Sequence, residues 1–351
     1  MMPGTGAAET LSSHAGSKMR PTKTVERPRL KIAIGTYGHT AALKDGSVKI
    51  EGVDADFIEV TPIIAAFRRM VRSGEFDVCE MAPTTYMLAR AAGAPFIALP
   101  IFLMRRFHHG GFVYRTDAGI GKPQDLEGKK VGVRAYSVTT GVWTRGILLN
   151  EYGLDISKVT WVVDDEEYVT SLRLPPNVIH APPGKSIAGM MAAGEIQAAF
   201  TGPAGIGRAG PPTSGWENRG QTPAQNYPEL FSDAAVVEAD WFRRTGIYPI
   251  HGAVVVKKAV LEKDPWVAKA MLDAFAAAKK PYLAQLKKGE AHTADDQYYR
   301  TVSQVVDDPL PYGMEQNRAS IEALITYVVQ QGLLPSRPNM SDTFVDPQAL
   351  F

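Results

Sequence analysis

The sequence predicts an α/β fold of two lobes, each a mainly parallel sheet flanked by helices, with a ligand cleft between them. Three observations predict it. Short β-branched runs alternate with helical stripes through the N-terminal part of the chain. The same alternation restarts at Lys130 in KKVGV. DVCEMAP in one half and QAAFTGP in the other each end a strand on small or polar residues before a proline. A length of 351 residues agrees, because one hydrophobic core seldom keeps growing at that size.

Residues 1–28 are polar and small and lack the apolar stretch of roughly 7–15 residues that a secretory signal needs, so they read as a disordered leader. No run reaches the roughly 18 apolar residues of a membrane span. A cytoplasmic protein without membrane contact is the expectation. Order begins at Leu30 with the strand LKIAIG, closed by the turn GTYGHT, and VKIEGVDADFIEV reads as two further short strands. In PIIAAFRRMVRSGEF, residues Ile63, Ile64, Phe67, Met70 and Val71 share one helix face, and Gly74 suits the C-terminal cap. FDVCEM is a strand, Pro83 fits the first turn of the next helix, and FIALPIF is again a strand.

In the second half KKVGV, KVTWVV and IQAAFTGPAG read as strands, while AYSVTTGVWTRGILLNEYG passes from loop to helix and SIAGMMAAGEI is a helix. Segment 202–228, rich in Gly and Pro and without periodicity, is expected to be an exposed loop or lid. HGAVVVKKAVL follows as a strand, Asp264 and Pro265 suit the start of the helix WVAKAMLDAF, and Ile321, Leu324, Ile325, Val328 and Val329 form a stripe closed by Gly332. The chain is expected to cross between lobes near 115 and near 247. Lobe 1 would then be 29–116 plus 248–351, and lobe 2 would be 117–247.

Lys plus Arg (38) nearly cancels Asp plus Glu (37), so no broad positive field attracts nucleic acid. The lone Cys79, inside FDVCEM, reads as a buried structural thiol. His108 and His109 are adjacent and would point apart on an extended segment, and no H-x-x-x-H spacing occurs; neither a metal nor another cofactor is expected. GxxxxGK[ST] and GxSxG are both absent. The C-terminal tail LPSRPNMSDTFVDPQALF offers a segment through which a homo-oligomer could form.

Two α/β lobes joined by two crossings resemble the type II periplasmic solute-binding proteins, and QDLEGKKVGV resembles the segment that opens their second lobe. GTYGHT at 35–40, DVCEM at 77–81, RRFHHGGFVYR at 105–115, VWTRGILLNEYGL at 142–154, RTGIYPIHGAVVV at 244–256 and PYGMEQNR at 311–318 resemble, in collinear order, the 4,5-dihydroxyphthalate decarboxylase family. That resemblance implies a carboxy-lyase that removes one carboxylate from a catechol dicarboxylate, giving protocatechuate without an organic cofactor. The chain departs from the family's pattern at Gly38 and His39, at His108, and at His251–Gly252. The alternative is a non-catalytic binding protein for a small aromatic or carboxylate solute, serving a transporter or sensing a metabolite.

Such a decarboxylation requires an acid to protonate the carbon that loses its carboxylate. His109 and His251, one near each predicted crossing, are the candidates; the plainer alternative for either is a hinge contact. Arg105 could clamp a carboxylate bidentately, or be a surface arginine pairing with nearby acids, and only one of Arg105 and Arg106 can face the cleft. Arg145, on the predicted helix, is a weaker candidate beside a structural ion pair. Thr84 and Thr85 after one strand, and Ser137, Thr139 and Thr140 after another, sit where helix N-termini could bind an anion, although ordinary capping uses the same residue types. Thr201 ends the equivalent strand of the second half. Glu80 could accept a catechol proton or orient a histidine, or be a buried structural acid. Tyr37 and Tyr136 could face an aromatic ring, with His39 beside the first, whereas aromatics at strand ends more often pack in the core. Closure of the lobes is expected to exclude water.

Overall fold

The computed structural model describes residues 27–207 and 226–345, together with Met1, Gly4 and Pro347. Nearly all of the expected leader, most of segment 202–228 and the end of the C-terminal tail lie outside the described residues. The chain runs through β1 (Arg29–Ala33), α1 (Ala41–Lys44), β2 (Asp54–Phe57), α2 (Ile64–Ser73), β3 (Val78–Met81), α3 (Pro83–Ala91) and β4 (Phe96–Arg105). It continues through β5 (Phe112–Tyr114), β6 (Lys130–Val133), α4 (Thr139–Tyr152), β7 (Thr160–Val163), β8 (Val178–His180), α5 (Ile187–Ala192), β9 (Ala198–Phe200) and α6 (Ala234–Thr245). β10 (Ile250–Lys257), α7 (Lys258–Lys263), α8 (Val267–Lys287), α9 (Ala294–Val302), α10 (Arg318–Gln330) and α11 (Met340–Thr343) complete it.

The strands form two five-stranded sheets, β2-β1-β3-β10-β4 and β5-β9-β6-β7-β8. Two crossings join them, Arg106 to Gly111 on the way out and Gly246 to Pro249 on the way back. The first sheet is more mixed than expected, because β10 runs antiparallel to both β3 and β4. A strand that returns from another lobe enters from the opposite end. The outward crossing also comes earlier than the expected 115, since Phe112, Val113 and Tyr114 already pair with Phe200, Ala199 and Ala198.

Local chemistry accounts for most elements. α2 buries Ala66, Phe67 and Met70 and stops at Gly74, whose left-handed φ of 58° lets its N–H reach the Met70 carbonyl. VKIEGVDADFIEV yields one strand, β2; Gly52, with φ of 75°, turns the chain before Asp54. The long C-terminal helix starts at Val267 instead of Pro265, while the Asp264 side chain accepts from the Trp266 indole. β8, α6 and α9 were not anticipated, being short, exposed or strongly polar.

Alternation along the strands gives each sheet two apolar faces. In the first, Leu30, Ile32, Val78, Leu99 and Val254 pack with Met271 and Phe275 of α8 on the outer face. Ala33, Cys79, Met81, Phe102 and Val255 face inward, into a cluster that also holds Val131, Val133, Trp161 and Phe200 of the second sheet. One core therefore runs through both lobes. α10, expected in the first lobe, lies against α4 of the second: a Cβ on Gly146 would stand 2.0 Å from the Tyr327 ring.

Candidate active site

The inner ends of β3 and β6 each turn into a helix, and the starts of those helices, α3 and α4, meet across the cleft. The Thr84 hydroxyl donates to the Ser137 carbonyl (2.9 Å) and lies 2.6 Å from the Thr139 hydroxyl. Neither helix has a capping side chain, because its N-cap residue is Ala82 or Val138. The capping alternative thus fails for Thr84, Thr85, Ser137, Thr139 and Thr140, and the first-turn N–H groups of both helices lack a side-chain acceptor.

A cavity opens beside this junction. Its wall includes Ala82 and Thr85 from the first lobe, Ser137, Thr139 and Thr140 from the second, and His251. Ile64 and Phe67 of α2 supply an apolar side, and Pro203 and Ala204 follow β9. His251 is placed there by an irregularity at the start of β10, where register shifts occur on both sides of Gly252. Gly252 is needed at this point, since a Cβ would lie 2.9 Å from Glu80 Oε1 and 3.2 Å from the Met104 side chain.

Glu80 is buried directly behind. It accepts from the Gly35 N–H and the Tyr37 hydroxyl, both at 2.9 Å, and burial nevertheless pushes its pKa up to about 7. Tyr37 is held by this bond and stacks on His39 at 5.2 Å. His39 is fully buried among Tyr37, Tyr282 and Tyr299, and desolvation lowers its pKa to about 3. Tyr37, His39 and Glu80 thus form one linked group, and none of the three lines the cavity.

Several expected ligand contacts are spent elsewhere. Arg105 is buried at the hinge, where Nε donates to the Pro249 carbonyl and the two terminal nitrogens to Asn317 Oδ1 and the Tyr248 carbonyl. Its plane lies 4.5 Å over the Tyr248 ring, so the fork clamps the return crossing and is not presented to a carboxylate. Arg106 is half-exposed and reaches Asp295 at 3.8 Å.

His109 is likewise turned away from the cavity. Its ring packs edge-on against Trp241 (5.4 Å) and Phe231 (5.5 Å), and Glu238 accepts from its backbone N–H. Consecutive side chains diverge along the crossing, so His108 takes the inner side. The His108 ring stands 5.2 Å from that of His251, with His108 Nε2 and His251 Nδ1 both buried and without hydrogen-bond partners. Burial, and each neighbour's charge, lowers the pKa of His108; burial and then Arg106 lower that of His251 to about 3.

The remaining candidates also have structural duties. Arg145 is fully buried, donates from Nε to Gln331 and from Nη2 to the Tyr136 carbonyl, and lies 3.9 Å over the Tyr136 ring. Tyr136 is accordingly packed under Arg145 and near Trp161, and its ring does not line the cavity. The Thr201 hydroxyl donates to the Gly111 carbonyl at 3.1 Å, tying β9 to the outward crossing.

Sequence reasoning missed the acidic side of the cavity. Arg134, Glu166, Glu167 and Tyr168 all line it. Glu167 accepts from the Tyr136 N–H (2.7 Å) and the Ser137 N–H (3.3 Å) and from the Ser137 hydroxyl. Glu166 pairs across the cleft with Arg72 at 3.1 Å and Arg68 at 3.7 Å, and Arg134 pairs with Asp165 at 3.3 Å. The signal was present: Arg134 and the run DDEEY each follow a strand directly, at the carboxyl ends where open α/β sheets bind ligands. Among the described residues no group of three or more His, Cys, Asp or Glu side chains is arranged to hold a metal ion.

Comparison with known proteins agrees with this architecture. Residues 52–209 match the family model described as an ABC transporter, phosphonate, periplasmic substrate-binding protein. The sulfonate ABC transporter periplasmic sulfonate-binding protein SsuA of Methylobacillus flagellatus KT, described as putative, superposes with a TM-score of 0.50 at 12% identity, over 93% of this chain and 94% of that one. This is a likeness of fold. Sequence relatives are nearer: the 4,5-dihydroxyphthalate decarboxylase of Pseudomonas putida is 36% identical over 222 residues, covering 61% of this chain and 81% of the relative. That of Comamonas testosteroni is 33% identical over 329 residues, covering 90% of this chain and 96% of the relative. On near-complete, two-way coverage at that identity, the chain belongs to the 4,5-dihydroxyphthalate decarboxylase family.

Proposed function

We propose that this protein is a carboxy-lyase that removes carbon dioxide from a hydroxylated benzene dicarboxylate of the 4,5-dihydroxyphthalate type, yielding protocatechuate. The family supports the reaction. The single structural observation that supports it most is the cavity in which two uncapped helix starts, Ser137, Thr139, Thr140 and Thr85 converge with His251. The hydroxyls and first-turn N–H groups are suited to hold carboxylates, and Ile64 and Phe67 offer an apolar wall to a ring.

In the reaction the ring carbon gains a proton as its bond to the carboxylate breaks and those electrons return to the ring. A hydroxyl para to that carbon donates electron density and eases protonation. His251 is the imidazole that reaches the cavity, but with its pKa near 3 it is neutral at pH 7 and is a poor proton store. Burial raises the pKa of Glu80 to about 7, which keeps a proton on it further toward neutral pH than on an ordinary carboxyl, and it lies against Gly252, the residue next to His251. Glu80 thus stores the proton, neutral His251 relays it to the ring carbon as carbon dioxide leaves, and solvent reprotonates Glu80.

Incubation of the purified protein with 4,5-dihydroxyphthalate, following carbon dioxide and protocatechuate, tests the reading. Release of both is expected. Tight binding without release, across that compound and related hydroxylated benzoates, would replace the enzyme with a binding protein.

A further inference from the structure

The most unusual feature of the cavity wall is that a protein carboxylate already sits in a carboxylate-binding arrangement. Glu167 draws on the Tyr136 N–H, the Ser137 N–H and the Ser137 hydroxyl, donors at the entry to α4 beside the uncapped first turn. Behind them lies Arg145, with no exposed surface, no ion pair among the described residues and Nη1 without a partner. A buried guanidinium stacked on Tyr136 without a carboxylate of its own calls for an anion nearby. Glu167 is the carboxylate whose charge acts on it.

We propose that these three donors form the receptor for one carboxylate of the substrate, and that Glu167 is an internal competitor which must leave before the substrate is held. The inference rests on the reading of the cavity as the site of an aromatic dicarboxylate. The segment carrying Glu167 is pinned by buried Asp164 and buried Tyr168, so the displacement is confined to Glu166 and Glu167. Half-exposed Glu166 holds it to Arg72 and to the largely buried Arg68 of α2, while Asp165 anchors its root to Arg134. An arriving dicarboxylate replaces charge with equal charge, so Arg145 is never left without an anion. Small uncharged aromatics cannot make that exchange, and the competitor thereby favours anionic ligands.

The test uses Glu167→Ala and Glu167→Gln in the full chain, each checked for native circular dichroism, with two probes. Acetate should raise the melting temperature of Glu167→Ala by filling the receptor, and leave the wild-type protein, where Glu167 fills it, unmoved. Phthalate, which lacks the ring hydroxyls, should bind Glu167→Ala about tenfold more tightly than wild type by calorimetry, with Glu167→Gln between them. Absence of the acetate shift, or phthalate affinity equal to wild type in both folded variants, overturns the proposal. If Glu167→Ala does not fold, unchanged phthalate affinity in Glu167→Gln overturns it alone. Both gains without carbon dioxide release from 4,5-dihydroxyphthalate would leave the receptor standing and remove the decarboxylation, while release without the gains would do the reverse.

Discussion

Glu80 accepts two hydrogen bonds that favour its charged form, yet burial holds its pKa near 7, above the ordinary 4.5. The folded protein therefore binds a proton more tightly than the unfolded chain. Stability from this group is complete below about pH 4.5 and is lost as pH rises through about 7, at up to about 1.4 kcal/mol for each unit crossed. Urea denaturation of wild type and Glu80→Gln between pH 5 and 8 should show a decline that the variant lacks, and a parallel pair of curves would contradict it. Turnover should fall over the same rise in pH, as Glu80 loses its proton. At the hinge, Arg105→Lys should cost about 2–3 kcal/mol of stability, because an ammonium cannot reproduce the fork to Pro249, Tyr248 and Asn317. A raised KM with unchanged stability would return Arg105 to the substrate. The two histidines separate in the same way: His251→Ala should lower kcat by roughly 10²–10⁴, whereas His109→Ala should lower the melting temperature and leave kcat near wild type. Adjacency in the sequence announced that His108 and His109 diverge; which of them faces inward depends on Trp241 and Phe231, residues far along the chain.

α4 shows what a sequence pattern reveals about an element and what it omits. Its start after KVGV and its end at Gly153 follow from local signals, and the small and polar residues of its first turn mark a ligand-facing end. Its partner was not legible. WTRGIL reads as a helix with one awkward glycine, and the reason for Gly146 is Tyr327 of α10, nearly two hundred positions on in the chain, whose ring fills the space a Cβ would need. The same contact gives Arg145 a neutral partner, because Gln331 at the end of α10 accepts from its Nε. β8 and α6 escaped notice for a different reason, since VIH is short with two exposed residues and α6 buries only Ala239 and Trp241. Gly146→Ala, ordinarily a gain in helix propensity, should here destabilise by about 1–3 kcal/mol through overpacking. Adding Tyr327→Leu should recover part of that loss in a double-mutant cycle; additive effects would show that the two helices do not meet as described.

The two sheets make a two-lobed molecule, but the inner cluster passes without a break from Phe102 and Val255 to Val131, Trp161 and Phe200. α10 adds a second tie, holding α4 through Tyr327 and Gln331 and the return crossing through Ser320, whose hydroxyl accepts from the Tyr248 N–H. Opening the lobes as rigid bodies would part the contacts through which that cluster spans them, at roughly 25 cal/mol for each Å² of apolar surface exposed. The ion pairs at the cleft mouth are weak by comparison, worth about 0–1 kcal/mol each where exposed. Displacement of the segment carrying Glu166 and Glu167 is the cheaper way in that we propose, and it competes with the expected closure of whole lobes. Small-angle scattering of the protein with and without phthalate should accordingly give the same radius of gyration, and thermal unfolding should proceed in one transition. A contraction on binding, or separate unfolding of the lobes, would show that the shared core yields more readily than its continuity implies.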